Sequence, residues 1–160
     1  SAGMAVALTA GTTTWALARR LADVPRLTVV TNSLPVSEVL HRSGRRDQTV
    51  VLTGGVRTPS DALVGPVAVS ALDGLHADML FMGVHGLDVR HGLTTPNLAE
   101  AETNRAFIGS ARRLVVVADR SKWGLVGLAG IATLADVDLM VTDATPPDDA
   151  LPALAEVTVA

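Results

Sequence analysis

The sequence contains no cysteine and very few aromatic residues. Its 160 residues include no cysteine and no tyrosine, and only two tryptophans and two phenylalanines. A chain without thiols has no disulfide, no thiolate nucleophile and no thiolate-bound zinc or iron–sulfur cluster, and this composition suits a reducing cytoplasm. The scarcity of aromatic residues also leaves no stacking surface for single-stranded nucleic acid. We therefore expect a cytoplasmic protein that needs no metal and no cofactor.

Long apolar runs and a strong charge imbalance are missing as well. Although 48% of the residues are hydrophobic, no run reaches the roughly 18 to 20 apolar residues that span a bilayer, and no basic-then-apolar signal segment opens the chain. The formal net charge is −3 and the basic residues form only short clusters. Such a surface gives no long-range attraction for a polyanion. We expect no membrane association, and no DNA binding by these residues alone.

Two common nucleotide-binding motifs do not occur. The sequence has no G-x-x-x-x-G-K-[ST] motif and no G-x-G-x-x-G motif after a predicted strand. These motifs provide the glycine-rich loops that hold phosphates in P-loop enzymes and dinucleotide dehydrogenases. Both enzyme classes are therefore disfavoured.

Short apolar runs rich in β-branched residues predict strands that are covered on both faces. The runs lie at 4–9, 27–31, 49–53, 79–82, 114–118 and 139–142, and a short last strand is expected at 157–159. Stretches of helical periodicity lie between most of them, so strands and helices alternate as in parallel βαβ units. The sequence predicts a single α/β domain over 1–160, with a layered, mostly parallel sheet and helices on both faces.

Helix-start signals follow the predicted strands. The residues expected to cap a helix or to lie in its first turn are Thr12 or Thr13 for the first helix, Pro35 for the second and Pro66 for another. Their positions agree with crossover helices between parallel strands.

The longest helix is predicted over 97–113. Asn97 is a good N-cap, and Glu100 stands three residues later, as in a capping box. The preceding segment, 83–96, is rich in glycine and is predicted to be an irregular loop. Loops of that length in small domains tend to carry function.

Clusters of glycine and small polar residues follow six of the predicted strands. They occupy 10–14, 31–33, 53–55, 83–86, 119–122 and 142–143. The carboxyl ends of parallel strands share one edge of the sheet, which is where open α/β sheets bind ligands. Backbone amides, hydroxyls and helix amino termini at this edge favour a small, hydroxyl-rich anion. Taken singly, each cluster is better explained as a tight turn or a helix cap, and their recurrence is what indicates a site.

The same clusters belong to a series of motifs that runs through almost the whole chain. The motifs are G-T-T-T at 11–14, V-V-T-N-S at 29–33, L-T-G-G at 52–55, glycine at 65, A-D at 77–78, F-M-G at 81–83, G-L-T-T-P at 92–96, E-A-E-T-N-R at 100–105, A-D-R-S-K-W-G at 118–124 and V-T-D at 141–143. In order and spacing they resemble the C-terminal sensor domain of the DeoR family of bacterial transcriptional repressors. The resemblance implies a fold related to ribose-5-phosphate isomerase and the coenzyme A transferases, and a pocket for a phosphorylated sugar effector. It also implies an N-terminal winged helix-turn-helix that binds DNA, and no segment of this sequence looks like one.

The resemblance further implies which residues contact the effector. The implied effector-binding residues are Gly11, Thr12, Thr13, Thr14, Thr31, Asn32, Ser33, Gly54, Gly55, His85, Glu100, Asp119 and Lys122. The first four form a turn around the phosphate, the paired glycines let the backbone close on the ligand, and the lysine pairs with the anion. Family members often carry an aspartate where this chain has Thr9, so a sugar-hydroxyl contact expected there has no carboxylate to make it.

Some of these residues have a second interpretation. His85 either hydrogen-bonds a ligand hydroxyl or holds its own loop, and Lys122 taken alone reads as a solvated surface lysine. Glu100 and Glu102 are two residues apart and cannot share a helix face, so at most one is expected to face the pocket. We expect it to be Glu100, because Glu102 can form a surface pair with Arg105.

Three functions fit this sequence. A sensor domain, which we favour, needs an effector pocket and no catalytic residue. A sugar-phosphate isomerase would use a pocket carboxylate as a general base, and a structural oligomerisation module would bind no phosphosugar. The repressor interpretation also predicts a homodimer or homotetramer, because symmetric operators are usually bound by symmetric proteins.

Overall fold

The chain forms one large sheet with two smaller sheets beside it. The computed structural model describes residues 2–43 and 45–160. Its strands are β1 (Ala5–Leu8), β2 (Thr28–Thr31), β3 (Thr49–Leu52), β4 (Val56–Arg57), β5 (Leu63–Val64), β6 (Met79–Met82), β7 (Gly86–Asp88), β8 (Gly92–Thr95), β9 (Leu114–Val117), β10 (Ala129–Ala132), β11 (Leu139–Thr142) and β12 (Val157–Val159). Its α-helices are α1 (Thr12–Leu21), α2 (Leu34–Arg42), α3 (Pro66–Leu72) and α4 (Leu98–Gly109).

The large sheet is parallel, with the strand order β12-β11-β9-β6-β1-β2-β3. All the strand runs predicted from the sequence lie in this sheet, so the predicted α/β fold with a mostly parallel sheet is confirmed. From β1 the chain builds outward to β3, and it then returns to the other side of β1 and continues from β6 to β12. The direction of building therefore reverses between β1 and β6, and such a reversal leaves a crevice at the carboxyl edge of the sheet.

Successive residues of the central strands point to opposite faces of the sheet. Val6 of β1 packs with Ala18 of α1 and Val36 of α2 in one core. Ala7, the next residue, belongs to a second core that contains Phe107 of α4. The helices α1 and α2 therefore cover one face, while α3 and α4 cover the other, which agrees with the prediction of helices on both faces.

The smaller sheets lie beside α3 and α4. Strands β7, β8 and β10 form an antiparallel sheet, and β4 and β5 form a hairpin. The segment 83–96 was predicted to be irregular, and that prediction is wrong because the segment contains β7 and β8. The antiparallel sheet contacts α4 and buries its apolar residues in the same core as Phe107.

Two helix starts differ from the sequence prediction. Helix α1 has Gly11 as its N-cap and no side-chain cap, so Thr12 and Thr13 lie in the first turn and neither is the cap. Helix α4 has Asn97 as its N-cap, as predicted, and the Asn97 side chain accepts a hydrogen bond from the Glu100 amide. The Glu100 carboxylate does not complete the capping box, because both of its oxygens accept hydrogen bonds from other hydroxyls.

The remaining helix starts agree with the prediction. Ser33 caps α2 by accepting a hydrogen bond from the Val36 amide, Pro35 is the second residue of that helix, and Pro66 is the first residue of α3. Helix α4 ends at Gly109, four residues before the predicted end. No helix among residues 2–43 and 45–160 is long and apolar enough to cross a membrane.

Candidate functional site

A cavity of about 570 Å³ opens at the carboxyl edge of the large sheet, where the strand order reverses. Segments that follow β1, β2, β6 and β9 meet there with the β4–β5 hairpin and α4. The lining residues are Ala10, Gly11, Thr12, Thr13, Trp15, Asn32, Ser33, Pro35, Ser60, Ala62, Gly83, Val84, His85, Glu100, Asn104, Val117 and Lys122. Its volume falls in the range of small-molecule sites.

The first turn of α1 forms one wall of the cavity. Thr12 and Thr13 line it, and no side chain of the described residues caps the amides at this helix end. Uncapped amides at a helix amino terminus carry partial positive charge and can donate to an anion. Thr14 lies outside the wall, because its side chain is buried and its hydroxyl donates to the Gly11 carbonyl at 3.0 Å.

The end of β2 joins the neighbouring segments of the rim. The buried Asn32 side chain accepts a hydrogen bond from the Ala10 amide at 3.2 Å and donates one to the Leu63 carbonyl at 2.9 Å. The Thr31 hydroxyl donates to the Leu8 carbonyl at 2.7 Å and accepts from the Ser33 amide at 3.1 Å. Thr31 therefore lies beneath the cavity wall, whereas Asn32 and Ser33 line it.

The predicted glycine pair does not line the cavity. Gly54 and Gly55 follow β3 at the edge of the large sheet, and neither is among the residues that line the cavity. Gly55 has φ 123°, and a Cβ at this position would lie 2.6 Å from the Val64 carbonyl oxygen and 3.1 Å from the Ala68 Cβ. Glycine is required there by packing against β5 and α3. The cluster at 142–143, after β11, also lies outside the wall.

Thr9, at the position where the resemblance implied an aspartate, has a structural role. Its side chain is buried, and its hydroxyl accepts a hydrogen bond from the Gly83 amide at 3.2 Å. This bond joins the end of β1 to the end of β6, next to the reversal in strand order. Thr9 is not among the residues that line the cavity.

Lys122 is the only lysine of the chain, and it lines the cavity. It is half-buried and makes no ion pair within the described residues. It ends the short 3₁₀ helix Arg120–Lys122, whose N-cap is Asp119. Asp119 lies outside the wall, and its carboxylate accepts a hydrogen bond from the Ser121 amide at 2.8 Å. Hydrogen bonds from Ser121 lower the pKa of Asp119, with the larger effect from the Ser121 side chain and the smaller from its amide. Asp119 is therefore a charged carboxylate that caps this turn.

Glu100 lies on the wall formed by α4. Its carboxylate accepts hydrogen bonds from the Thr95 hydroxyl at 2.9 Å and from the Ser60 hydroxyl at 3.2 Å. Asn104, one helical turn later, lines the same wall. Glu102 is exposed and outside the cavity, so Glu100 is the member of the pair that faces it, as expected.

The sequence also led to expectations about Glu102, His85 and metal ligands, which the structure addresses one by one. The pair expected between Glu102 and Arg105 does not form, because the Arg105 guanidinium donates to the Gly130 carbonyl. His85 is exposed at the cavity and has no hydrogen bond to any described residue, so it does not hold its loop. No group of three or more potential metal ligands occurs within 2–43 and 45–160.

The sequence prediction missed several lining residues. Ser60 lies in the turn of the β4–β5 hairpin, where no strand-end pattern marks it. Asn104 belongs to the E-A-E-T-N-R motif but carries no separate signal. Trp15 has the spacing of a core helix residue, yet it is 38% exposed and lines the cavity, with the Arg19 guanidinium 5.4 Å from its ring centroid.

Comparison with solved structures confirms the expected fold relationship. Ribose 5-phosphate isomerase A from Methanocaldococcus jannaschii superposes with a TM-score of 0.52 over 77% of this chain and 48% of that chain. The sequence identity is 16%, so the likeness concerns the fold alone.

Comparison with sequence families and curated proteins gives the family. The model of the DeoR C terminal sensor domain matches residues 1–144. The HTH-type transcriptional regulator GlpR of Haloferax volcanii is 40% identical over 144 residues, which are 89% of this chain and 55% of that protein. The glycerol-3-phosphate regulon repressor of Escherichia coli is 30% identical over 138 residues, 86% of this chain and 54% of that protein. The chain therefore spans about half the length of these relatives, and it belongs to the family of DeoR C-terminal sensor domains.

Proposed function

We propose that this chain is the effector-binding domain of a cytoplasmic, DNA-binding regulator of sugar metabolism, and that its effector is a phosphorylated sugar or polyol. The observation that carries the proposal is the cavity at the carboxyl edge of the sheet, where the uncapped amino end of α1 and the unpaired Lys122 both face the ligand space. The remaining wall offers the hydroxyls of Ser33 and Ser60, the amides of Asn32 and Asn104 and the carboxylate of Glu100, which suits a sugar.

The distribution of hydrogen-bond donors supports a phosphate position beside the first turn of α1. Thr12 and Thr13 offer backbone amides and hydroxyls, Ser33 offers a hydroxyl, and Lys122 offers a mobile positive charge. Hydrogen bonds to a charged group contribute about 1.5 to 3 kcal/mol each, which is more than neutral ones do. An unphosphorylated sugar would lose these bonds and bind far more weakly.

The regulatory step requires a second module. The relatives are named as regulators and repressors, and about half of their length lies outside the region that this chain matches. In our proposal that half includes a winged helix-turn-helix, and the complete protein is a homodimer or homotetramer. An effector changes operator binding only if it has different affinities for the two arrangements of the DNA-binding modules.

A thermal-shift panel of sugar phosphates with their unphosphorylated counterparts tests the proposal. A ligand at a hundred times its Kd stabilises the fold by about 2.7 kcal/mol. At roughly 2 to 4 °C per kcal/mol for a domain of this size, the expected rise in Tm is about 5 to 11 °C. If no phosphorylated compound raises the Tm more than its unphosphorylated counterpart, the proposal is wrong.

Lys122→Ala and its neighbour Arg120→Ala form a matched pair of variants. Both remove one positive charge from the same turn, but Arg120 is exposed and lies outside the cavity wall. Lys122→Ala should lower the affinity for phosphorylated ligands by roughly ten- to a hundredfold, because one charge-assisted contact is worth about 1.5 to 3 kcal/mol. Arg120→Ala should retain the wild-type affinity. Equal losses in both variants would assign the effect to overall charge.

The second candidate is a sugar-phosphate isomerase, and the observation in its favour is the Glu100 carboxylate on the cavity wall. A carboxylate beside a sugar carbonyl can act as a general base. In our proposal Glu100 instead accepts hydrogen bonds from ligand hydroxyls and no catalytic step takes place. A coupled assay of aldose–ketose interconversion distinguishes the two, since turnover that is lost in Glu100→Gln would establish the enzyme.

A further inference from the structure

We infer that Glu100 restricts the effector to compounds with a single anionic group, the phosphate, and an uncharged, hydroxyl-bearing opposite end. This inference rests on the proposed function and specifies the ligand class of the same cavity. Glu100 is expected to determine specificity. Its effect is a difference in affinity between ligands that carry an alcohol and ligands that carry a carboxylate at the end opposite the phosphate.

The negative charge of Glu100 is not neutralised by the protein. Both of its hydrogen bonds come from neutral hydroxyls, those of Thr95 and Ser60. No cation of the described chain lies within ion-pair distance of the carboxylate, and Arg105 on the same helix is engaged with the Gly130 carbonyl. The charge is therefore directed at whatever fills the cavity.

The α1 wall and the α4 wall offer different chemistry. Helices α1 and α4 cover opposite faces of the sheet, and both reach the cavity at its carboxyl edge. The α1 wall offers hydrogen-bond donors, whereas the α4 wall offers the charged acceptor Glu100 and the neutral amide of Asn104, which can donate or accept. A ligand that spans the cavity places its phosphate against α1 and its other end against α4.

The α4 wall favours hydroxyl groups and disfavours carboxylates. A carboxylate has about four lone-pair positions, and Thr95 and Ser60 occupy two of those on Glu100. The free positions can accept hydrogen bonds from one or two ligand hydroxyls. A ligand carboxylate has no proton to donate and is repelled in a half-buried site, where charges interact more strongly than in water. We expect a ten- to hundredfold preference for the alcohol-ended ligand.

Isothermal titration calorimetry with matched pairs of phosphorylated compounds tests the inference. The pairs differ only in a terminal CH₂OH or carboxylate: glycerol 3-phosphate with 3-phosphoglycerate, erythritol 4-phosphate with 4-phosphoerythronate, and glucitol 6-phosphate with 6-phosphogluconate. Each pair is measured on the wild-type chain, on Glu100→Gln and on Glu102→Gln. The Glu102 variant removes the same charge from the same helix at an exposed position outside the cavity.

The expected result is that the alcohol-ended member binds at least tenfold more tightly to the wild-type chain, for every skeleton that binds. The ratio should fall to within about threefold in Glu100→Gln and stay unchanged in Glu102→Gln. If Glu100→Gln does not fold, wild-type ratios within about threefold still overturn the inference.

The outcomes separate this inference from the proposed function. Equal or tighter binding of the carboxylate-ended compounds by the wild-type chain would overturn the inference and leave phosphosugar binding intact. A preference that survives in Glu100→Gln would also overturn it, because another group would then be responsible. If no phosphorylated compound of any kind binds, the proposed function fails and this inference fails with it.

Discussion

Replacing Asn32 with aspartate tests whether this side chain holds the rim of the cavity together. The change keeps the size of the side chain and the oxygen that accepts the Ala10 amide proton. It replaces the amide group that donates to the Leu63 carbonyl with a second oxygen. At neutral pH the variant therefore places a carboxylate against a carbonyl oxygen, at a side chain that is only 2% exposed.

Asn32→Asp should destabilise the fold because the substituted side chain is buried. Loss of the donated hydrogen bond and burial of an unpaired charge together should lower the free energy of unfolding by about 3 kcal/mol. For a domain of this length this corresponds to a fall in Tm of roughly 6 to 12 °C. The variant should also bind phosphate weakly, because the new negative charge faces the same cavity.

The pH dependence has a definite sign. Burial raises the pKa of the introduced carboxyl above its unfolded value, so the destabilisation is fully present above the raised pKa and decreases as the pH falls through it. A protonated carboxyl can again donate to the Leu63 carbonyl. Tm measurements from pH 8 to pH 5 should therefore show a narrowing gap between the wild-type chain and Asn32→Asp.

Asn97→Asp is the matched control for this experiment. It makes the same isosteric change at the N-cap of α4, where aspartate caps as well as asparagine does. Its Tm should stay within about 2 °C of the wild-type value, which corresponds to roughly 0.5 kcal/mol. If Asn32→Asp is as stable as Asn97→Asp, or if its deficit does not change with pH, the assigned role of Asn32 is wrong.

Two further predictions concern parts of the chain that surround the cavity. Gly55→Ala should cost about 2 to 5 kcal/mol in chemical denaturation, because its Cβ would lie 2.6 Å from the Val64 carbonyl oxygen at a φ of 123°. Gly130→Ala, where no atom lies within 4 Å of the added carbon, should stay within about 0.5 kcal/mol of the wild-type value, and similar losses in both would contradict the packing argument. Asp119→Asn should lower the Tm at pH 7, because the pKa of Asp119 is lowered from 3.8 by hydrogen bonds from Ser121. The stabilisation by the charged Asp119 is fully present above pH 3.8 and is lost as the pH falls through the lowered pKa of this carboxylate. A Tm difference between the wild-type chain and Asp119→Asn that persists under strongly acidic conditions would contradict this role of Asp119.

The large sheet was predictable because a strand that is buried on both faces is apolar at nearly every position. The run Leu114–Val117 is apolar at every position and buried at every position, and such runs cannot be amphipathic surface elements. The positions of the strand-end clusters then followed from topology, since parallel strands share one carboxyl edge. Four of the six predicted clusters line the cavity for this reason.

The small antiparallel sheet was not predictable from local sequence. Its strand β8 pairs with β10, and Thr95 lies opposite Ala129, far away along the chain. Strand β7 has only three residues, Gly86–Asp88, which is too short for an alternating pattern. The pairing is decided by packing against α4, and a local pattern contains no information about that contact.

The individual roles of site residues were less predictable than their location. Thr31 and Thr14 belong to the right clusters, but their hydroxyls bond to backbone carbonyls beneath the wall. Ser60 reaches the cavity because the hairpin folds beside β2, and the Leu63 amide donates to the Asn32 carbonyl there. Which member of a polar cluster faces the ligand depends on such tertiary hydrogen bonds.

The single lysine allows the cavity wall to be labelled selectively at a side-chain amine. Because Lys122 carries the only side-chain amine and the sequence has no cysteine, an amine-directed dye reaching this side chain reports from the cavity wall itself. Occupancy can then be followed in the unmutated polypeptide as slower labelling of this amine when a bound ligand covers it. The same uniqueness means that acylation of one nitrogen atom is sufficient to remove the cavity's only ammonium group.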